Sequence, residues 1–471
     1  MQVVEASQDI ASIFHKQRAN SQRMADTTVS QRRERIKRLE NYLTNEDNRR
    51  RLVEALQADF SKPEVETLTS EIGIVLTHAR YARKHLARWM RPKRIPAPLS
   101  LVGTSSYVRF EPKGQALIIS PWNYPVNLSL HPFVCALAAG CTIVLKPSEV
   151  TRHTSAYLHK MLSELYPPEE VAVVLGATEV ARALTSLPFN HIFFTGSPAV
   201  GKKVMAAAAE NLASVTLELG GKSPCIVDET ANLNQVVERI VWAKHFNGGQ
   251  TCVAPDYLLV HESKKEKLIA KYKEAIESFY GADPRKSKDY ARIASEKHHR
   301  HLSHLLEDAI EKGGTVLAGG QTDADARYVS PTLIDDLPED AALLQQEVFG
   351  PIMPIVTYQN LDDAIAFINA RPKALTLYIM SRSNANIERV LSRTSAGGSS
   401  INELLLGYAN PGLPFGGVNN SGIGKSFGYH GFLEFSNERA VLRRRFLDLK
   451  MVFPPYPEKK VKLVRWLHRK L

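Results

Sequence analysis

The sequence predicts an α/β protein built from two doubly wound parallel sheets. Between residues 116 and 219, five short apolar runs alternate with four segments of helical length. A second alternation of the same kind runs from 224 to 402. The composition is that of a globular protein: of 471 residues, 44% are hydrophobic and 23% charged. Strands joined through helices form open parallel sheets with helices on both faces and right-handed crossovers. Disorder, collagen and coiled coil are excluded as whole-chain descriptions, and the length suits two large domains or three smaller ones.

The chain up to about residue 95 reads as helical, because QRRERIKRLENYL places Ile36, Leu39 and Leu43 on one helix face. That pattern stops at Pro92, Pro96 and Pro98. A strand is expected at 107–110. The stretch 114–145 carries no Asp, Glu, Lys or Arg, but Pro121, Asn123, Pro125, Asn127, His131 and Pro132 interrupt it. No run in it approaches the ~20 apolar residues of a membrane span, so it reads as buried core. Within and after it, strands are expected at 116–119, 142–145, 171–175, 191–195 and 215–219. Helices are expected at 126–139, 155–165, 179–186 and 198–210. Beyond Gly220-Gly221, read as the hinge, strands are expected at 224–227, 257–260, 352–357, 375–380 and 399–402. Helices include 233–246, 264–278 and 364–370.

The net charge of +11 is uneven. Residues 443–471 hold ten basic and two acidic side chains, leaving the rest of the chain near neutral. The high isoelectric point is therefore a property of the tail and no argument for nucleic-acid binding. Four cysteines (Cys135, Cys141, Cys225, Cys252) are too few for a disulfide framework and point to a reducing compartment. The N-terminus shows no secretory signal pattern.

Three segments carry chemistry. In HIFFTGSPAVGKK (191–203) a strand runs into Gly196, then Ser197 as N-cap and Pro198 at the first helical position. Such a junction leaves backbone N–H groups and a positive dipole end for a phosphate. A P-loop fails here because Lys203 replaces the magnesium-binding hydroxyl, and the three-glycine dinucleotide fingerprint is incomplete. A dinucleotide site of unusual form survives. In VTLELGGKSP (215–224), Glu218 lies within an apolar strand. It is either a solvated residue on an alternating face or a buried acid whose pKa is raised towards that of a general base. In FNGGQTCVAP (246–255), Cys252 follows a glycine-bearing turn that brings it to a loop or a helix start, where a helix N-terminus would favour thiolate. The other three cysteines read as inert core. His298, His299, His301 and His304 read as a solvated helix face, and no metal site is expected.

Taken together, SPWNYP (120–125), KPSE (146–149), FTGSPAVG (194–201), LELGGKSP (217–224), GQTCVAP (249–255), EVFGP (347–351) and LPFGGVNNSG (413–422) resemble the aldehyde dehydrogenase superfamily in its own order. CVAPDY and the FPPYPEKK tail are similar to its class 3 branch of fatty and aromatic aldehyde enzymes. The resemblance implies a Rossmann-like cofactor domain over 1–220, a catalytic domain over 221–415, and a return segment, oligomerisation strand and basic tail over 416–471. It implies NAD as cofactor, with NADP also admitted. Cys252 would be the nucleophile, Asn123 with the Cys252 N–H would hold the oxyanion, and Glu218 would activate the hydrolytic water. Lys146 and Glu149 would hold the adenosine ribose. Gly196, Ser197, Pro198, Ala199, Val200 and Gly201 would face the pyrophosphate, and Glu347 and Phe349 the nicotinamide ribose. The product would be a free acid from a medium- or long-chain aliphatic or an aromatic aldehyde. The rival reading is a catalytically silent relative that serves as a binding protein.

Two departures stand out: Pro198 where many relatives have Thr, and a longer IGKSFGYHGF segment (423–432) at the substrate mouth. The resemblance also implies a homodimer, with 107–110 and 439–446 in its small sheet. The few cysteines and the absence of a secretory pattern lead to the expectation of a cytoplasmic location, with peripheral membrane contact as the alternative. The tail KKVKLVRWLHRKL (459–471), with Val461, Val464, Leu467 and Leu471 at helical spacing, has two readings. It lies weakly on an anionic membrane surface, or it packs on the partner subunit or over the substrate entrance.

Overall fold

The computed structural model describes residues 10–98, 101–446 and 453–469. Its first large sheet has the strand order Gly422–Ile423, Ser214–Leu219, His191–Gly196, Gln115–Ile119, Thr142–Lys146, Val171–Val173. The last five run parallel, as the alternation of apolar runs and helices predicts. The short Gly422–Ile423 strand returns from the far end of the chain and pairs antiparallel with Leu217 and Glu218. A two-residue strand carries no readable period, so the sequence pattern does not predict it.

Neighbouring residues of each strand enter different cores. Ile118, Ile143 and Phe193 pack with the N-terminal helices and the helix Asn127–Ala139, whereas Leu117, Val144, Ile192 and Phe194 pack on the opposite face. This period of two, with apolar residues on both sides, is why the strands read as continuous apolar runs. The charge-free stretch is core: every side chain of Asn127–Ala139 except Leu128 is buried.

The second sheet has the order Thr315–Ala318, Thr332–Asp335, Ile352–Tyr358, Tyr257–His261, Pro224–Val227, Thr376–Met380, Gly398–Ile401. The five expected strands are present and parallel. Two strands were not expected from the sequence: Thr332–Asp335 and its antiparallel neighbour Thr315–Ala318, at one edge. Both are four residues long, below the length at which alternation is distinctive.

The N-terminal region is helical over Ile10–Ala25, Val29–Thr44, Glu46–Phe60 and Ile74–Trp89. One irregular element, the π-helical turn Thr67–Gly73, precedes the last of these. A third, small sheet joins Lys93–Ile95, Thr104–Pro112 and Ser436–Arg444 in antiparallel register. It contains 107–110 and residues 439–444 of the second segment expected for a small sheet, and 447–452 lie outside the described residues. The tail forms the helix Glu458–His468, and Leu471 lies outside the described residues. Among the described residues no helix is long and apolar enough to cross a membrane.

Candidate active site

Topology places a crevice before any side chain is considered. In the first sheet Gln115–Ile119 lies beside His191–Gly196, so chain order reverses there and the loops leaving their carboxyl ends part in opposite directions. Those loops begin at Ser120 and Ser197. A cavity of about 260 Å³ opens between them, lined by Pro121, Trp122, Asn123, Thr195, Gly196, Ser197, Glu218, Gly220, Cys252, Glu347 and Phe349, among others. Seven of the residues expected at the site thus share one cleft. Lys146 and Glu149 lie apart, at the end of the next strand, where Lys146 Nζ donates to Glu149 Oε2 at 2.8 Å.

Ser197 caps the helix Pro198–Glu210, its Oγ accepting from the Val200 N–H at 3.4 Å. Ala199 and Val200 are exposed on the first turn. Gly201 has a packing role. A Cβ there would fall 2.7 Å from Leu219 Cδ2, so it faces the neighbouring strand and lets helix and sheet approach. Gly220 allows a second close approach, because a Cβ there would meet the Glu347 carboxylate at 2.1 Å. The residue read as a hinge is thereby a cradle for Glu347.

Cys252 does not start a helix. It lies in a turn between the 3-10 turn Phe246–Gly249 and the strand Tyr257–His261, which removes the helix dipole expected to favour thiolate. Three successive residues, Asn247, Gly248 and Gly249, have φ of 58°, 61° and 75° and set the turn's path. Gly249 packs on the backbone of Gly350, which leaves no room for a side chain. The turn is pinned on both sides of the thiol. Tyr124 Oη and Thr251 Oγ1 lie 2.6 Å apart, and Tyr378 Oη donates to the Val253 carbonyl at 2.5 Å. Asn123 Nδ2 donates to the Gln250 carbonyl at 3.0 Å. That bond uses one amide hydrogen and orients the other.

A buried support lies underneath, which no sequence pattern marks. The Lys62 ammonium pairs with Glu71 at 2.8 Å, both side chains being fully buried, and sits 3.9 Å from the centre of the Tyr124 ring. Glu71 also accepts from the Val126 and Asn127 N–H groups at 3.1 and 2.8 Å. Glu66 accepts from the Asn247 N–H at 2.9 Å, and burial pushes its carboxyl up to about 7. These acids stand in ordinary helical sequence, and only their depth in the fold distinguishes them.

Glu218 is buried, which excludes the solvated-face reading. Its Oε1 accepts from Ser426 Oγ at 2.7 Å, and its Oε2 has no hydrogen-bond partner among the described residues. Burial pushes the carboxyl up to about 8, partly offset by Ser426 and Lys425. Glu347 also stands at about 8, through burial and then Asp256, against the Gly221 N–H. The Cys252 thiol is pushed up to about 12 by burial, then by Glu347 and Glu218, against the N–H groups of Cys252 and Val253. At neutral pH the thiol is held protonated.

The histidine group corrects another expectation. Of the four only His304 is exposed; His299 is buried, and His298 and His301 line the cleft. His298 Nε2 lies 2.8 Å from the Phe349 carbonyl, and the ring packs against Trp122 and Phe349. A carbonyl only accepts, so Nε2 carries the proton. Burial lowers the His298 pKa to about 4, keeping it neutral. The spacing of 298 and 301 does mark one helix face, but that face turns inward.

On the other side of the thiol lies an apolar pocket formed by Tyr124, Leu128, Phe193, Val253, Phe415 and Phe427, with Tyr408. Cys252 and Glu218 line both this pocket and the polar cleft. The cleft fits a dinucleotide: it combines a free helix start, an acid cradled by Gly220, and aromatic walls from Trp122 and Phe349.

The model of the "Aldehyde dehydrogenase family" matches residues 3–441. The chain is 44% identical over 441 residues to the 4,4'-diaponeurosporen-aldehyde dehydrogenase of Staphylococcus aureus, covering 93% of this chain and 95% of that one. It is 42% identical to a probable coniferyl aldehyde dehydrogenase of Pseudomonas aeruginosa, covering 97% and 95%. A solved structure of the substrate-bound state of Staphylococcus aureus AldH superposes with a TM-score of 0.93 at 43% identity, covering 98% and 99%. The chain belongs to the aldehyde dehydrogenase family and is an NAD(P)-dependent enzyme that oxidises aldehydes.

Proposed function

We propose that the protein converts medium- or long-chain aliphatic or aromatic aldehydes to free carboxylic acids through a covalent intermediate on Cys252. The observation that carries this reading is the shared position of Cys252 and Glu218 between an apolar pocket and a polar cleft. The apolar walls suit a hydrocarbon or aryl substrate, in keeping with the 4,4'-diaponeurosporen-aldehyde and coniferyl aldehyde named for two relatives. In this reading the 1–220, 221–415 and 416–471 divisions act as cofactor domain, catalytic domain, and return segment with tail.

Cys252 gives up its thiol proton to solvent and adds to the carbonyl carbon as thiolate. Asn123, oriented by the Gln250 carbonyl, and the Cys252 N–H donate to the oxyanion, and such donors contribute about 3 kcal/mol each. NAD(P), when bound, supplies the acceptor for the hydride that leaves the thiohemiacetal carbon. Lys146 and Glu149 would hold its adenosine ribose, the Gly196–Gly201 turn its pyrophosphate, and Glu347 and Phe349 its nicotinamide ribose. Glu218 then takes a proton from water as the water oxygen bonds to the thioester carbon. Collapse breaks the C–S bond, releases the acid and returns Cys252.

Purified protein should form reduced nicotinamide with hexanal, dodecanal, benzaldehyde or cinnamaldehyde. Cys252→Ala should abolish that reaction while NAD still binds. Retained turnover in that variant would overturn the reading, and no turnover of any aldehyde would favour a silent or narrow-specificity relative.

The protein works in the cytoplasm as a homodimer in this reading. Support comes from the open, exposed strand Ser436–Arg444 of the small sheet and the exposed edge strand Gly398–Ile401. Light scattering tests the dimer. The tail helix Glu458–His468 exposes Leu463, Val464 and Trp466 among basic side chains, which fits weak contact with an anionic membrane surface. Co-sedimentation with anionic vesicles tests that contact. Dissociation of the dimer on deleting 453–471, without vesicle binding by the intact chain, would assign the tail to the partner subunit instead.

A further inference from the structure

The IGKSFGYHGF segment stands out in the sequence and plays no part in the mechanism as described so far. The structure places its Ser426 beside Glu218, in the same pocket as Cys252. Ser426 is buried and donates to Glu218 Oε1 at 2.7 Å, while Oε2 has no hydrogen-bond partner among the described residues. We infer that Ser426 is a positioning residue for the hydrolytic step, its hydroxyl holding Glu218 by Oε1 so that Oε2 is the atom that takes the proton from water. The inference rests on the reading of Glu218 as general base.

The geometry meets three requirements of that role. First, the hydroxyl is itself fixed. Ser426 and Phe415 exchange backbone bonds of 2.6 and 3.0 Å. The preceding N–H, of Lys425, donates to Glu434 Oε1 at 3.0 Å. The Lys425 ammonium caps the carbonyls of Gly416, Gly417 and Gly397. Second, the bond persists through the cycle. A proton taken at Oε2 leaves the Ser426 bond at Oε1 intact, so the carboxyl need not turn between the charged and neutral states. Third, the hydroxyl favours the charged state, which is the base.

Other titratable groups surround this carboxyl. Lys425 lies on the same segment, Glu434 on the helix Gly428–Glu434 and Cys252 on the catalytic turn. His131 and Tyr408 line the pocket, and Glu347 lies across the cleft. Lys425 works with Ser426, whereas Glu434 opposes it.

The test compares Ser426→Ala, Ser426→Cys and Ser426→Thr with Glu218→Gln, following the single-turnover hydride burst and the pH profile of kcat. Ser426→Ala should leave the burst at one equivalent with an unchanged rate. Its kcat should fall about tenfold at pH 7, and the acid limb should move up by about one unit, the shift expected for losing one bond to a charged acceptor. Ser426→Cys, a weaker donor, should shift less and keeps the test alive if the alanine variant is unstable. Ser426→Thr should restore the wild-type limb. A wild-type limb in both the alanine and cysteine variants, with hydrolysis blocked in Glu218→Gln, would overturn the role of Ser426 alone. An equal loss of burst and kcat at every pH would reduce Ser426 to a structural part. Normal hydrolysis in Glu218→Gln would instead overturn the general-base reading beneath it.

Discussion

Replacing Glu218 by Gln separates the two halves of the proposed reaction. The glutamine keeps the size of the side chain and can still accept from Ser426, but it cannot take a proton from water. Hydride transfer should therefore proceed once and hydrolysis should stall, giving one equivalent of reduced nicotinamide per site and a steady rate lower by about 10²–10⁴. The wild-type profile carries the complementary signature. With a pKa of about 8, roughly a tenth of Glu218 is ionised at pH 7 and half at pH 8. Where hydrolysis limits turnover, kcat should rise about fivefold over that interval and level off above pH 9. Stability should move the other way. The carboxyl holds its proton more tightly in the fold than in the unfolded chain, so the wild type loses stability as pH rises from about 4.5 through 8. Glu218→Gln escapes that loss, and its advantage in urea unfolding should grow across the same window to the order of a few kcal/mol. Rapid-quench kinetics, pH profiles and urea melts read these effects. Multiple turnovers at the wild-type rate in the variant, or a wild-type profile flat down to pH 5, would refute the reasoning.

Three further changes probe the surrounding structure. Lys62→Met should cost about 3–5 kcal/mol in urea unfolding, because it removes the counter-ion of Glu71 in the core beneath Tyr124 and leaves only the Val126 and Asn127 N–H groups on that carboxyl. Gly249→Ala should lower both stability and turnover, since its positive φ and its contact with the Gly350 backbone admit no Cβ; the cost should exceed about 2 kcal/mol by the same melts. Glu347→Gln should speed iodoacetamide alkylation of Cys252 several-fold at pH 9, where Glu347 is ionised in the wild type, and leave it nearly unchanged at pH 6.5. Peptide mapping of the labelled thiol checks it, and equal rates at pH 9 would show that Glu347 does not restrain the sulfur.

What the sequence can reveal follows from how each feature is encoded. The parallel strands are readable because both faces of each are apolar, and the core of Asn127–Ala139 because it lacks charge. The Ser197 cap and Pro198 are readable because capping is local. Cys252 stands out by its glycine-bearing turn, but its electrostatics do not. Flanking residues suggest a helix start, whereas the real turn is set by three left-handed residues and by tyrosines 127 and 125 positions away. Lys62, Glu66, Glu71 and Ser426 stay hidden for the same reason. Their partners lie 9, 181, 55 and 208 residues away, and nothing in a local window marks a charge as buried. His298 and His301 share a face readable by period, but the period does not say which face looks inward.

The acids around Cys252 explain why the site tolerates a nucleophile at all. A thiolate exposed to an apolar pocket would be open to oxidation and to any electrophile that enters. Here burial holds the sulfur as a thiol, and Glu347 and Glu218 strengthen that hold as they ionise near pH 8. One of those acids, Glu347, lies where the nicotinamide ribose is proposed to bind, cradled against Gly220. Where Glu347 is ionised, at and above about pH 8, a dinucleotide that engages it through ribose hydroxyls weakens its field at the sulfur, and the thiol then loses its proton more readily. The other acid, Glu218, is held back by Ser426 on the pocket side, with its free oxygen kept for the later proton transfer. The same two groups that restrain attack before the cofactor binds thus serve the reaction after it, and the order of steps follows from where each acid is anchored.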